Sequence, residues 1–251
     1  MKFRTITNLA LTALLVSGAA AQTPDPDQLL RQMSARLATA KTFSFEAKRE
    51  IDVQLLEGHD QPEKASISIS VQRPNKITAS STSKAGTRYL IADGKTLSLL
   101  DEKPNHYAVV PMRTSLDGLV EQLDAKYGFT PPLAEFVLSN PYADFKKQSR
   151  TLTYLGRGKT SEGFFGLGGV ECHRLWLSGK VADAELWISV DEQLPRKLIA
   201  TFHRDGRPQV RVNISKWNLA APAADFTFNP PQLAQKIELW TTAKMQAVSK
   251  N

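Results

Sequence analysis

Cysteine is almost absent from this 251-residue sequence, which contains only Cys172. A single cysteine excludes an internal disulfide, so the fold must depend on packing for its stability. After residue 21, no apolar run approaches the roughly 20 residues that a membrane-spanning helix needs. The net charge of +7 comes without a block of basic residues, which favours an ordinary solvated surface over a nucleic-acid site.

Recognisable catalytic motifs are also missing. The sequence has no serine elbow, no nucleotide-binding fingerprint and no paired-carboxylate pattern. The glycine-rich stretch Gly163–Gly169 lacks the Gly-Lys-Ser/Thr ending of a phosphate loop and precedes a strand pattern, so we interpret it as a hairpin connection. These absences predict that the protein is not an enzyme and uses no cofactor.

The pair Cys172-His173 has to be weighed as a nucleophile with its base or as half of a metal site. Flanking apolar residues predict a strand, in which neighbouring side chains point to opposite faces. The two side chains therefore cannot readily hydrogen-bond to each other as nucleophile and base. The histidines at 59, 106 and 203 show no zinc-ligand spacing, so we interpret Cys172 as a buried structural residue.

The N-terminus has the three parts of a secretory signal peptide. Lys2 and Arg4 form the basic region, Leu9–Val16 the apolar core, and Ala19–Ala21 the small residues of a cleavage site. We expect cleavage near Ala21, which leaves residues 22–251 as a single exported, soluble domain without a membrane span. In a Gram-negative bacterium this compartment is the periplasm, where nucleic acid is not an expected partner.

A helix is predicted directly after the signal peptide. Asp25 can cap it, and Pro26 suits its first position. Four apolar residues then recur at helical spacing, and they are Leu29, Leu30, Met33 and Leu37. Such a stripe indicates a helix that buries one face.

The next segment, from Phe43 to Leu55, has a period of two. Phe43, Phe45 and most of the following odd positions are apolar, whereas the even positions are polar. This alternation predicts a long antiparallel strand with one solvated face. Only Arg49 interrupts the apolar side, and an inward charge needs either a partner or water in a cavity.

Similar short strand patterns recur along the chain, separated by turn residues, to a total of ten or eleven. A second helix is predicted where Leu116, Leu119 and Leu123 share a face and Gly128 ends it. A short third helix is predicted around residues 133–137. With no alternation of strand and helix, the pattern favours an antiparallel α+β fold.

Several stretches carry a resemblance to a known family. They are QRPNKI (72–77), ADGKTLSLLDEKPNHYAVV (92–110), GVECHRLWLSG (169–179), AELWISVDEQLPRKLIATF (184–202), SKWNL (215–219) and FTFNPP (226–231). In this order they resemble a family of predicted periplasmic proteins of unknown function, related in fold to the lipoprotein carriers LolA and LolB. The resemblance covers the chain from about Asp25 to Leu239.

The resemblance implies an unclosed β-barrel of about eleven antiparallel strands, with helices covering its concave face. In the carriers the hollow is apolar and takes acyl chains, so we expect a ligand cavity of several hundred cubic ångströms. The residues expected to line it are Leu29, Met33, Leu37, Phe43, Phe45, Leu116, Leu119 and Leu123. Arg73, in the Arg-Pro-Asn element, matches a carrier arginine thought to latch the lid, and an ordinary arginine before a turn is the alternative.

Two functions remain open at this point. The first is a periplasmic binding or carrier protein for a hydrophobic ligand, such as a lipid or an acylated protein, held between sheet and helices. The second is a protein-interaction or regulatory module of the cell envelope without a lipid ligand. An apolar hollow open to a ligand favours the first function, and a filled core with an exposed apolar patch favours the second.

Overall fold

The structure is a computed structural model that describes residues 23–160, 168–222 and 224–249. The predicted signal peptide, residues 1–21, lies outside the described residues, and so does most of the glycine-rich connection Gly163–Gly169. Within the described ranges, the regular structure consists of one β-sheet, four α-helices and two single turns of 3₁₀ helix.

The sheet contains eleven antiparallel strands and one short parallel strand at its edge. The strands are β1 Thr42–Ile51, β2 Glu63–Gln72, β3 Lys76–Ser83, β4 Gly86–Ala92, β5 Thr96–Asp101, β6 His106–Pro111, β7 Ser149–Lys159, β8 Glu171–Gly179, β9 Ala182–Ser189, β10 Pro195–Phe202, β11 Gln209–Asn218 and β12 Gln235–Lys236. Their order across the sheet is β12-β6-β5-β4-β3-β2-β1-β11-β10-β9-β8-β7. Since β12 and β7 are its two edges, the sheet does not close into a barrel. The predicted α+β, unclosed antiparallel architecture is confirmed.

The alternating pattern of β1 does set which face of the sheet is buried. Phe43, Phe45 and Ala47 are buried, whereas Glu46 and Lys48 are exposed. β1 lies in the middle of the strand order and pairs with β2 on one side and β11 on the other. Its buried face therefore orients the whole sheet toward the helices.

The helices are α1 Pro26–Ala38, α2 Leu116–Tyr127, α3 Pro141–Gln148 and α4 Thr242–Ser249. The predicted caps of the first two are present. The carboxylate of Asp25 accepts a 3.0 Å hydrogen bond from the Asp27 amide, and Gly128 ends α2 in the left-handed conformation with φ 71°. The third predicted helix is reduced to one 3₁₀ turn, Ala134–Phe136, and the sequence analysis did not predict α3 and α4.

The hydrophobic core lies between the helices and the sheet face that β1 buries. Six leucine and methionine side chains enter it from the first two helices, and they are Leu30, Met33, Leu37, Leu116, Leu119 and Leu123. Leu29 lies at the border of the same stripe and is half-buried against this core. Burial of side chains of this size stabilises the fold by about 1.5–3 kcal/mol each.

The turn between β2 and β3 connects the sheet to the helical layer. Arg73 donates a 2.9 Å hydrogen bond from Nη1 to the carbonyl oxygen of Val137, and another of 2.9 Å from Nη2 to that of Leu138. Burial lowers the pKa of Arg73, and the nearby Asp117 carboxylate opposes this shift. An arginine stays charged at neutral pH, so both hydrogen bonds are charge-assisted.

Backbone hydrogen bonds extend this connection in two further directions. The Arg73 amide donates to the carbonyl oxygen of Lys41, just before β1, over 2.8 Å. The amide of Leu116, the first residue of α2, donates to the carbonyl oxygen of Pro74 over 2.9 Å. One turn therefore joins the start of β1, the start of α2 and the approach to α3.

We expect the substitution Arg73→Ala to lower the free energy of unfolding by about 2–4 kcal/mol, since it leaves two carbonyl groups without their charged donor. Arg73→Lys should cost less, because an ammonium keeps the charge but does not reproduce the guanidinium fork. Urea unfolding followed by circular dichroism measures both changes.

Arg157→Ala is the matched control, because Arg157 forms an exposed ion pair with Glu171 at 3.0 Å. Such a pair contributes less than about 1 kcal/mol. Equal losses in Arg73→Ala and Arg157→Ala would contradict the role assigned to the β2–β3 turn.

Candidate functional site

The concave face is defined here as the sheet face that contacts α1 and α2. On the β1–β6 half of the sheet, the register aligns its inward side chains in rows across the strands. One row is wholly apolar and consists of Phe45, Ile69, Ala79, Leu90, Leu99 and Ala108. The next row is mixed and consists of Ala47, Ile67, Ser81, Arg88, Asp101 and His106. The concave face therefore changes from apolar to polar within one row.

A cavity of about 490 Å³ lies over these two rows and is called the first cavity below. Its lining comprises Arg49, Ile67, Ile69, Ala79, Ser80, Ser81, Arg88, Tyr89, Leu90, Leu99, Leu100, Asp101, Pro104, His106, Tyr107, Ala108, Phe129, Pro131, Pro132, Ile237 and Leu239. The small side chains of Ala79 and Ser81 leave space at its floor. The volume falls in the range typical of small-molecule sites, and the lining is predominantly apolar.

The wall opposite the sheet comes from two separate parts of the chain. Phe129, Pro131 and Pro132 follow α2, and Ile237 and Leu239 follow β12. A loop with adjacent prolines has few conformations open to it, because each proline ring fixes φ. This side of the first cavity is therefore stiff where the prolines form it.

The C-terminal segment, residues 233–245, reaches the first cavity along the edge of the sheet. β12 pairs in parallel with β6, and the Ile237 amide donates a 2.8 Å hydrogen bond to the carbonyl oxygen of Tyr107. At the start of α4, the hydroxyl of Thr242 donates a 3.3 Å hydrogen bond to the carbonyl oxygen of Lys126 in α2. Few contacts hold this segment, so it is the part of the wall most readily displaced.

Charged side chains gather at the polar end of the first cavity. Arg49 pairs with Glu63, and Arg88 pairs with Asp101 over 2.9 Å. Arg49 was predicted to need either a partner or a cavity, and it has both, since it also lines the first cavity. The site thus combines an apolar interior with two arginine–carboxylate pairs at its polar end.

The residues expected to line a ligand hollow lie elsewhere, in the packed core. They are Leu29, Met33, Leu37, Phe43, Phe45, Leu116, Leu119 and Leu123. Phe45 stacks on Trp217 with ring centroids 4.3 Å apart, and a space of only about 20 Å³ remains between α2 and the sheet. None of the eight lines the first cavity. Their contact with a ligand, and the role of Arg73 as a latch, remain predictions.

The residues that do line the first cavity were missed for a physical reason. Apolar periodicity identifies side chains that are buried, but it does not distinguish a filled core from an open one. The signal available in the sequence was the pair of small inward residues in β3, Ala79 and Ser81, opposite larger neighbours. The contribution of the C-terminal segment gave no periodic signal, because Ile237 and Leu239 lie outside any long helix or strand.

A wider depression of about 770 Å³ lies between β7, β8 and the turn before β10. Its lining is mostly charged, from Arg157 and Glu171 to Glu192 and Arg196. Its polarity makes it unsuitable for an apolar ligand.

Cys172 and His173 lie in β8, as predicted, and are both buried. Cys172 is opposite Ser189 in the β8–β9 register. Nδ1 of His173 lies 3.1 Å from the hydroxyl oxygen of Tyr154, within hydrogen-bond distance. Burial lowers the pKa of His173, and the nearby Arg157 lowers it too. Among the described residues, no group of three or more histidine, cysteine or acidic side chains is placed to hold a metal ion.

A family model described as "Predicted periplasmic protein (DUF2092)" matches residues 26–240. This match confirms the resemblance found in the sequence and the predicted periplasmic location. No curated protein matches the sequence. In the described part of the chain, no helix has the length and apolar character needed to cross a membrane.

Solved structures with a similar fold include an uncharacterized conserved protein from Thermus thermophilus. It has a TM-score of 0.50 and 10% sequence identity, over 84% of this chain and 97% of that one. The complex of MucA and MucB from Pseudomonas aeruginosa contains a chain with a TM-score of 0.46 and 15% sequence identity. The match covers 82% of this chain and 62% of that one. The LolA superfamily protein NE2245 from Nitrosomonas europaea has a TM-score of 0.37 and 10% identity, over 80% and 96%.

We expect Cys172→Ser to retain the fold, with a loss of at most about 2 kcal/mol from placing a hydroxyl in a buried site. Thermal unfolding of the purified variant measures this loss. Elemental analysis of the wild-type protein should find no stoichiometric metal. A bound metal that disappears in Cys172→Ser would contradict the structural role of this cysteine.

Proposed function

This chain belongs to the DUF2092 family of predicted periplasmic proteins, and we propose that it binds a hydrophobic ligand in the first cavity. The ligand class is a lipid or another molecule with an acyl chain. The observation that carries the proposal is an apolar cavity of about 490 Å³ on the concave face. Binding of this kind needs no covalent chemistry, so no catalytic step is part of the proposal.

The volume of the first cavity supports this function. Protein interiors are packed as densely as organic crystals, and voids larger than a water molecule are few. An apolar space of this size that stays open loses the contacts that a filled core would gain. An acyl chain restores them, and each buried methylene stabilises the complex by about 0.8 kcal/mol.

The charged residues at the polar end of the first cavity favour a ligand with a polar head group. Arg49 and Arg88 lie at the same end of the first cavity, each beside one carboxylate. Guanidinium groups bind carboxylate and phosphate oxygens well. An amphipathic molecule therefore matches the first cavity, with its anionic head at the polar end and its acyl tail in the apolar interior.

We propose that the packed core under α1 and α2 is closed to the ligand. The side chains of α1, α2 and β1 that were expected to line a hollow would meet a ligand only if these helices moved away from the sheet. Arg73 would oppose that movement, because its two hydrogen bonds hold the approach to α3. We therefore propose Arg73 as the latch of the helical layer.

A fluorescent fatty-acid probe, displaced by phospholipid, tests the proposal. Ala79→Trp places an indole into the first cavity and should weaken saturable binding at least about tenfold, or ~1.4 kcal/mol. Thr82→Trp is the matched control, because Thr82 is exposed on the same strand. The side chain at position 82 points to the opposite face of the sheet, so the Thr82→Trp variant should bind the probe with the wild-type affinity. Circular dichroism establishes that both variants are folded.

The same probe tests the latch through its dissociation rate. The segment that covers the first cavity through Pro131 and Pro132 leads directly to Val137 and Leu138. Arg73→Lys weakens the hydrogen bonds to that segment and should therefore speed release, whereas Thr82→Trp should release the probe at the wild-type rate. Absence of saturable binding to the wild type would contradict the proposed carrier function. An unchanged release rate in a folded Arg73→Lys variant would contradict only the proposed role of Arg73 as a latch.

A second candidate function is an interaction with an envelope protein. It is favoured by exposed apolar side chains on the C-terminal segment, namely Leu233 at 88% exposure, Ile237 at 46%, Trp240 at 42% and Met245 at 44%. Site-specific photo-crosslinking in the periplasm tests it. A crosslinker at residue 233 should capture one defined protein, and a crosslinker at Val181, 67% exposed in the turn between β8 and β9, should not. Equal crosslinking at both positions would count against this function.

A further inference from the structure

The concave face carries a second cavity at its other end, on the strands β8, β9 and β10. Its volume is about 480 Å³. Its apolar floor and side consist of Phe145, Leu177, Ala184, Leu198, Ala200 and Phe202. Ala184 and Ala200 face each other in the β9–β10 register, so small side chains open this space as Ala79 and Ser81 open the first cavity.

The two cavities are separate. They share no lining residue, and the strands that form their floors lie on opposite sides of β1 and β11 in the sheet order. Between them, Phe43, Phe45, Val212 and Ile214 are buried in the core. A ligand in the second cavity therefore meets a lining of its own, with its own chemistry.

Three carboxyl-bearing residues line the second cavity, and two of them, Glu135 and Asp144, belong to the helical layer. The Asp144 carboxylate accepts a 2.7 Å hydrogen bond from the side-chain amide of Gln148. Among the described residues, no other side chain forms a hydrogen bond or ion pair with the carboxyl group of Glu135. Burial raises the pKa of Glu135 to about 7, its own backbone amide opposes the shift, and the nearby Asp144 carboxylate adds to it. Burial raises the pKa of Asp144 as well.

The other charged groups around the second cavity leave Glu135 without a cationic partner, whereas Lys147 lies near enough to Asp144 to favour its charged form. Lys147 and Lys180 are exposed at its rim. Asp183 already accepts hydrogen bonds from Ser178 and Gly179 and contacts His203 at 3.0 Å and Arg207 at 3.4 Å. Among the described residues, the lining carboxyl group with no cation near it is therefore that of Glu135, which lies beside Asp144.

We propose that the second cavity binds an amphipathic amine, whose ammonium group contacts Glu135 and Asp144 and whose apolar body lies on the alanine and leucine floor. A partly buried carboxylate is costly unless a cation or hydrogen-bond donors accompany it. An alkylammonium ion supplies both, and its chain fills apolar space. This proposal goes beyond the function assigned to the first cavity and does not depend on it.

Octylammonium binding to the full-length mature protein, followed by isothermal titration calorimetry at pH 8, tests the proposal. The wild type should bind one equivalent saturably, and octanol and octanoate at the same concentrations should not compete. Glu135→Gln keeps the shape of the side chain and should weaken binding at least about tenfold. Glu121→Gln, an exposed change of the same charge on α2, is the matched control and should bind like the wild type.

Two further variants locate the site. Ala200→Trp should abolish octylammonium binding, whereas Ala79→Trp in the first cavity should leave it unchanged. A result in which Ala79→Trp removes the amine and Ala200→Trp does not would overturn the proposal. If Ala200→Trp does not fold, the comparison of Glu135→Gln with Glu121→Gln still decides.

The pH dependence gives an independent readout. An alkylamine stays protonated up to about pH 10. Binding should therefore strengthen from pH 6 to pH 8, as Glu135 loses its proton, and this change should disappear in Glu135→Gln. A pH dependence that persists in Glu135→Gln would assign it to another group and would overturn the role of Glu135. Octanoate binding as tightly as octylammonium would overturn the choice of a cation.

Discussion

The two hydrogen bonds from Arg73 to the carbonyl groups of Val137 and Leu138 are the interaction on which the helical layer depends. The β2–β3 turn that carries Arg73 also bonds to the residue before β1 and to the first residue of α2. The β2–β3 turn therefore connects the sheet to the helical layer through hydrogen bonds. Elsewhere, apolar packing attaches the layer, and such packing is strong but not directional.

Side-chain size explains why the concave face has a filled centre and an open space at each side. Phe43 and Phe45 of β1, with Trp217 stacked on Phe45, fill the middle of the sheet beneath α1. Small residues, Ala79 and Ser81 in β3, Ala184 in β9 and Ala200 in β10, lie at inward positions where the two cavities are found. The helices pack against the large residues, and space remains where the inward residues are small.

The parts of the fold that were predictable from sequence are those with strong local rules. The alternation from Phe43 onward identified β1 and its buried face, and Asp25 and Gly128 correctly marked the ends of two helices. α3 was missed because the third helix was predicted only around residues 133–137. Pro141 is the first residue of α3 and follows Asn140, whose side chain accepts a 3.1 Å hydrogen bond from the Ala143 amide.

The candidate site was less predictable than the fold, because a cavity depends on what is absent from a packed interior. Buried apolar residues such as Leu119 and Phe45 have the same periodicity whether they touch a ligand or each other. The contribution of Ile237 and Leu239 depends on the path of the C-terminal segment along β6, which two residues of β12 determine. Glu135 owes its environment to tertiary contacts around a 3₁₀ turn, and no local pattern signals it.

The central claim is that the first cavity holds a hydrophobic ligand in the cell. Native mass spectrometry of the protein purified from its own periplasm, without detergent, tests this most directly. We expect a fraction of the wild-type protein to carry a mass adduct that organic extraction identifies as lipid, and we expect Ala79→Trp to lack it. A wild-type protein that is fully free of lipid, or an Ala79→Trp variant with the same adduct, would contradict the account.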